Sequence, residues 1–545
     1  MKKKIISALL AAVMVFSLTA CGGGSDKKSA DGTYYNTYLD TDPTTMDPVK
    51  GNDTYSMGIL RNIMEPLTRL EEDGDKQERK GAGAESWESN DDGTVWTFHL
   101  RDNKWSDGEP VTADDYVYGM KQTLDPEAGS PNAFYITCIK NGEAIYNGEK
   151  DVSELGVKAV DDKTLEITLE YSVPYFLSLT DTRAMYPVRE DLVEKYGESY
   201  GANVESMVGC GPFKMTSWKR NSKIELEKNE NYWDKDSVKL DKVNYQIVSD
   251  QTARFNSFDS GSLDYVACAD KEWIGRFDKK DKVDVVEAPI PTVRYDFFNC
   301  QDKIFSNVNI RKAFTMAVNR EDMCSVIYND IHKPLYSWVP YSTSTGELGE
   351  YRDQVEEPLK SITEDPKELL LKGMQELGLG SDPSTLNITY TLSGTTEWTR
   401  NYAAYCQQMW EKILGVKVEL DFNEWGTFQS KTNNGEFQIA MMTWSIDYDD
   451  PMAMMEVFAG GSNMVPVFWQ NEQYDSLVAQ ARKEMDEKTR VDLYKQAENI
   501  LLAEDCVISP NVNEYTHSYY YQYVKNYNKL ASSTSGLKYV DTSAR

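Results

Sequence analysis

Phe437-Gln438-Ile439-Ala440-Met441 runs directly into Met442-Thr443-Trp444-Ser445-Ile446-Asp447-Tyr448-Asp449-Asp450-Pro451. The first five residues alternate apolar and polar side chains, the period of a strand with one buried face. A tryptophan, three carboxylates within four residues and a proline follow. A strand ending in such a segment is poised to hold a cation at its C-terminal end, between flat apolar walls. The same residues also suit an Asp/Pro-rich turn with solvated charges. The surrounding chain has to choose between the two readings.

Upstream of this junction, Ile388, Tyr390 and Leu392 alternate as a strand. Tyr402, Tyr405, Met409, Trp410 and Ile413 mark a helix stopped by Gly415. Val416, Val418, Leu420 and Phe422 alternate again. This order predicts a right-handed crossover in a largely parallel sheet, where ligands sit outside the carboxyl ends of strands. Glu424-Trp425-Gly426 and Trp444–Pro451 both occupy such ends. Val308–Val318 places apolar residues at 310, 313, 314, 317 and 318, an amphipathic helix. A late helix carrying Val491, Tyr494 and Leu501 leads to Val507-Ile508-Ser509-Pro510-Asn511, which can cross back to an earlier domain.

The first half reads as a separate α+β unit. Asp91-Asp92-Gly93 is a hairpin-type turn. Thr94–Leu100 and Thr164–Leu169 alternate as strands. Thr112-Ala113-Asp114-Asp115 has the form of a helix N-cap with an acid three residues on. Val208-Gly209-Cys210-Gly211-Pro212-Phe213 lacks the Lys-Ser or Lys-Thr of a phosphate-binding loop and reads as a tight turn feeding a strand.

At 545 residues the chain is too long for one core. Its net charge of −30 repels phosphate backbones and anionic lipid headgroups, which argues against nucleic-acid binding. Three widely separated histidines (His99, His332, His517) do not suit a His-built metal or catalytic site. The eight cysteines include no CxxC pair, so they read as mostly buried thiols rather than metal ligands. No metal or cofactor is expected. Lys2, Lys3 and Lys4 precede an apolar run, Ile5 to Leu18, too short for a comfortable membrane span. The run ends Leu18-Thr19-Ala20-Cys21, small residues before a cysteine, in the manner of a bacterial lipobox. Residues 1–20 are therefore expected to be a signal peptide, with Cys21 lipidated. Residues 21–32, rich in Gly and Ser, form a flexible tether with a reach on the order of 18 Å.

Several blocks taken together resemble a known family: Asn62…Glu65-x-Leu67; Glu85-Ser86-Trp87 through Asp92-Gly93; Phe98-x-Leu100-Arg101 through Trp105-x-Asp107-Gly108-x-Pro110-x-Thr112-Ala113-x-Asp115; Gly209-x-Gly211-Pro212-Phe213 with Asn229…Tyr232-Trp233; Asn309-x-Arg311-Lys312-Ala313; and Ala317-Val318-Asn319-Arg320. Their order and spacing, from about residue 35 to about 520, resemble the peptide-binding solute-binding lipoproteins of bacterial ABC importers. The resemblance implies a two-lobed α/β fold of the periplasmic-binding-protein type, with an extra α+β subdomain in the first lobe and a ligand cleft between lobes. The expected divisions are residues 33–75, 205–292 and 510–545 for the first lobe, 76–204 for the extra subdomain and 293–509 for the second lobe.

By the same resemblance, Trp444-Ser445-Ile446-Asp447-Tyr448 matches a segment whose aspartate meets a peptide ammonium, which makes Asp447 the foremost candidate and Tyr448 its neighbour. Trp425 and Trp444 are candidates for lining side-chain pockets. Glu65 matches a glutamate at the pocket edge, although Pro66 stands where the family usually has glycine. Arg294 and Tyr295 lie near the expected interlobe crossover. Met441 stands where some tripeptide-preferring relatives carry an arginine for the ligand carboxylate. Asp449 and Asp450 read as turn and cap residues.

The function implied is an extracytoplasmic receptor that captures peptides and delivers them to the permease subunits of an ABC transporter. The expected receptor is a monomer held at the cell membrane by lipid on Cys21. An oligosaccharide-binding receptor of the same class is the alternative. A secreted carboxylate-dependent hydrolase is the alternative from another class, but no catalytic motif or paired acids single it out.

Overall fold

Two long strands, Val283–Phe298 and Ile508–Tyr521, organise the molecule. In the computed structural model, which describes residues 32–73, 76–460, 464–529 and 536–545, they pair antiparallel along most of their length. The late end of Ile508–Tyr521 also pairs with Tyr265–Ala267, on the side of the first lobe. Their other ends lie in the sheet of the second lobe, whose further strands are Ile439–Ser445, Asn387–Ser393 and Lys417–Asn423. The chain thus passes between lobes twice, and the return at 508–511 is the one its sequence suggests.

The sheet of the second lobe is mixed rather than largely parallel. Asn387–Ser393 is parallel to Lys417–Asn423 and to Ile439–Ser445, as the strand–helix–strand order requires. Ile439–Ser445 then pairs antiparallel with Val283–Phe298, because the crossover strands are not part of that repeat. The connecting helix Glu397–Leu414 buries Tyr402, Cys406 and Trp410 and stops at Gly415, whose φ of 79° is left-handed. A residue without Cβ enters that conformation at little cost.

The first lobe holds a four-stranded sheet in the order Tyr34–Leu39, Lys242–Ile247, Lys223–Lys228, Phe213–Lys219. A second four-stranded antiparallel sheet, built from Ala84–Ser89, Val95–Leu100, Thr164–Thr168 and Val157–Asp161, falls within residues 76–204. Its helix Ala113–Leu124 starts with the Thr112/Asp115 capping box. The hairpin Thr68–Asp73/Lys76–Gly81 straddles residue 75. Among the described residues no helix is long and apolar enough to cross a membrane. The expected signal segment, Cys21 and nearly all of the expected tether lie outside the described residues.

The crossover ladder is irregular at two places, and the wider gap borders the cavity. Register is lost between Pro289 and Val293. Pro289 and Pro291 carry no N–H, so neither can donate to the ladder. Ile290, Pro291 and Thr292 are freed from the partner strand and line the space between the lobes.

Candidate functional site

A cavity of about 390 Å³ opens where the lobes, the subdomain and the crossover strands meet. That volume falls within the range of small-ligand sites. One wall is the helix Thr54–Ile63. Asp53 caps it by accepting from the Ser56 N–H at 2.7 Å, a device worth about 1 kcal/mol. Ile59, Leu60 and Ile63 are buried in the lobe, so Thr54, Met57, Gly58 and Arg61, at i, i+3, i+4 and i+7, face the cavity. The subdomain contributes Tyr135, Asp181, Thr182 and Arg183; the floor is Ile290–Thr292; the second lobe supplies Ser342 and residues 445–449.

The wall of the second lobe follows from strand geometry. Ile439–Ser445 ends at the cavity, with Ser445 facing it and bonding the Thr292 hydroxyl at 2.8 Å. The Ile446 N–H donates to the Pro291 carbonyl at 2.9 Å, which turns the chain so that Asp447, Tyr448 and Asp449 line the opening. Asp447 stays open to solvent. The protein around it nevertheless removes enough water to raise its carboxyl pKa, while hydrogen bonding from Tyr135 and the charge of Arg183 act in the opposite sense. Asp449 accepts from the Ser344 N–H at 2.8 Å. Burial pushes its pKa up to about 6, with Ser344 and Arg79 opposing and Asp450 and Asp181 adding to the rise. Asp450 is sequestered: it caps the next turn through the Met452 N–H at 2.9 Å, accepts from Tyr494 at 2.8 Å and pairs with Arg490 at 3.4 Å. The acidic cluster therefore divides into two cavity carboxylates and one structural one.

Two contacts tie the subdomain to this wall. Tyr175 stacks on Tyr448, and the Tyr448 hydroxyl donates to Glu456 at 2.8 Å. Tyr135 faces Asp447. On the opposite side Arg79 pairs with Asp181 at 2.7 Å, and Arg183 donates to Asn132 at 2.8 Å. Ser342 adopts φ 63°, and its buried hydroxyl has no hydrogen-bond partner.

The remaining sequence candidates lie elsewhere. Glu65 is fully buried in the first lobe: it pairs with Arg69 at 2.5 Å and accepts from Tyr232 at 3.0 Å and Trp233 at 2.8 Å. Trp444 lies opposite Val293 in the ladder and packs on the core; its indole N–H is buried without a partner. Trp425 opens the helix Trp425–Asn433, stacks on Phe428 and is 51% exposed. Arg294 pairs with Glu514 at 2.7 Å and lies over Trp398 at 4.1 Å. Tyr295 is buried against Trp338. None of these five lines the cavity that holds Asp447 and Tyr448.

Arg61, Arg79, Tyr135, Arg183 and Ser342 were not singled out from sequence. The helix face was detectable from its cap and its spacing, and Pro289-Ile290-Pro291 inside a long strand pattern was a readable sign of a break. Arg79, Tyr135, Arg183 and Ser342 carry no local signal, since folding alone brings them together. Among the described residues no cluster of three or more His, Cys, Asp or Glu side chains suits a metal ion.

Comparisons with known proteins agree with this architecture. The profile of the bacterial extracellular solute-binding proteins, family 5 (middle region) matches residues 78–465. The chain is 37% identical over 518 residues to the dipeptide-binding protein DppE of Bacillus subtilis, covering 93% of each chain. It is 35% identical to the oligopeptide-binding protein OppA of the same organism, covering 92% and 93%. The crystal structure of Haemophilus influenzae OppA in complex with the peptide RPPGFSPFR superimposes with a TM-score of 0.78 at 26% identity, over 94% of this chain and 99% of that one. On this evidence the chain belongs to the family 5 bacterial extracellular solute-binding proteins.

Proposed function

We propose that the protein is an extracytoplasmic receptor that captures short peptides between its lobes and hands them to the permease of an ABC transporter. The observation that carries this reading is Asp447, a cavity carboxylate at a strand end with solvent access and Tyr135 beside it. A peptide ammonium placed there gains roughly 4 kcal/mol of Coulomb attraction at ~4 Å and an effective dielectric near 20, before desolvation. Relatives named for dipeptide and oligopeptide binding support the same class of ligand. Extended peptides suit such clefts because main-chain hydrogen bonds provide affinity without dependence on side chains.

The reading extends to a monomeric lipoprotein, anchored through Cys21 on the outer face of the cell membrane, that binds without turning its ligand over. Mass spectrometry of ligand carried through purification, followed by incubation with peptides and oligosaccharides, tests it. Stoichiometric peptide binding without product is expected. Turnover overturns the receptor reading, and selective oligosaccharide binding overturns the peptide one. Metabolic labelling with a fatty acid, lost in Cys21→Ala, tests the anchor.

A further inference from the structure

Three guanidinium groups face the cavity, and two of them have protein acceptors. Arg79 is paired with Asp181, and Arg183 donates to Asn132. Arg61 is half-buried and donates no hydrogen bond to, and forms no ion pair with, any described residue. Its guanidinium carries five donors with no acceptor among the described residues. One turn earlier on the same face, a Cβ added at Gly58 would meet nothing within 4 Å. A ligand main chain can therefore lie against the helix backbone beside the Arg61 side chain.

The opposite wall carries the reverse charge. Asp447 and Asp449 belong to the second lobe, and Arg61 to the first. We propose that Arg61 is the anchor for a ligand carboxylate, so that the cavity selects ligands bearing an ammonium and a carboxylate at opposite ends. The proposal rests on the peptide reading above and gives it polarity: amino end at the second lobe, acid end at the first. A ligand of this kind bridges the two walls, and its binding favours closure because each end finds its counter-charge on a different lobe. A guanidinium suits the task, since its fork matches a carboxylate in two parallel hydrogen bonds. The carboxylate can come from the chain terminus or from an acidic side chain.

Three alanine ladders of two to five residues distinguish these sources: free acids, C-terminal amides, and amides with the last alanine replaced by glutamate. Calorimetric titration of the full chain is expected to show the best free acid binding at least tenfold tighter than its amide, in line with a charge-assisted pair. Arg61→Gln is expected to weaken the free acid about tenfold, leave the amide unchanged and abolish the discrimination; Arg61→Lys recovers part of it. Recovery of affinity by the glutamate amides, lost again in Arg61→Gln, assigns the site to acidic side chains as well as chain ends. Equal affinity of the wild type for acids and amides overturns the proposal alone and needs no variant. Unchanged discrimination in a folded Arg61→Gln also overturns it. Failure of every ladder to bind overturns the peptide reading together with this one.

Discussion

The rings of Tyr175 and Tyr448 lie stacked across the cleft, with centroids 5.0 Å apart and planes 15° from parallel. One belongs to the subdomain, the other follows Asp447 in the chain, so the contact exists only when the lobes are together. Stacked aromatic pairs contribute about 0.5–1.5 kcal/mol beyond their buried area. Tyr175→Ala is expected to accelerate peptide release several-fold with little change in association rate, as measured by stopped-flow fluorescence. An unchanged dissociation rate would remove the stack from the closure mechanism.

Asp447→Asn removes the charge while nearly preserving shape. Peptide affinity is expected to fall at least tenfold, with the melting temperature of the empty protein almost unchanged. Titration calorimetry and differential scanning calorimetry measure the two. Full retention of affinity would exclude Asp447 as the ammonium partner.

Peptide binding should depend on pH with a defined sign. Asp449 titrates near 6 and Asp447 is also raised. Protonation neutralises either carboxyl, and both take up protons more readily than an ordinary aspartate, so the anionic wall is lost as pH falls. Affinity for an unblocked peptide is expected to decline by about tenfold from about pH 7.5 to about pH 5. In the Asp447→Asn/Asp449→Asn double variant the decline should vanish. A rise in wild-type affinity on acidification would contradict the assignment.

Glu65 offers the opposite phenotype. Its carboxylate is saturated by Arg69, Tyr232 and Trp233, and its removal leaves a buried, unpaired guanidinium. Glu65→Ala is expected to destabilise the protein by about 3–5 kcal/mol, read by urea unfolding, while peptide affinity of the folded fraction stays within twofold. A selective loss of affinity with normal stability would return Glu65 to the binding site.

Asp296 sets a pH dependence of stability. It is buried on a crossover strand, accepts hydrogen bonds from Tyr390 and from the Asn511 side-chain amide, and titrates near 6. Its folded pKa exceeds the unfolded value. The stability it contributes is therefore fully present below about pH 4 and is lost as pH rises through about 6. The rise above the ordinary aspartate value corresponds to roughly 3 kcal/mol. Chemical unfolding between those pH values should show a component of that size and sign that disappears in Asp296→Asn.

The strands, helices and turn chemistry were largely legible because each rests on local periodicity. The helix stop at Gly415, the Thr112/Asp115 box and the return at 508–511 are of this kind. The Asp447 segment was legible as a strand end aimed at an opening. Glu65 was not, because a carboxylate followed by Pro66 gives no sign of the three partners that close around it from residues 69, 232 and 233. Trp425 and Trp444 show the same limit: a tryptophan at a strand end can face the cleft, the core or solvent, and only the register of the sheet decides. The parallel expectation for the second lobe failed where the crossover strands enter, since an element arriving from another lobe leaves no mark on the local repeat.

The interrupted ladder between the crossover strands has a mechanical consequence. Two hydrogen-bonded strands resist sliding past one another and resist splaying, because either motion breaks every rung at once. Bending at Ile290–Thr292 breaks no rung between these two strands, although Pro291 and Thr292 stay bonded to Ile446 and Ser445 of the second lobe. A gap of this kind lowers the resistance of the strand pair to a door-like swing about those three residues. Because the same residues form the cavity floor, a ligand held in the cavity would lie beside that gap. A passenger too bulky to lie flat there would hold the lobes apart.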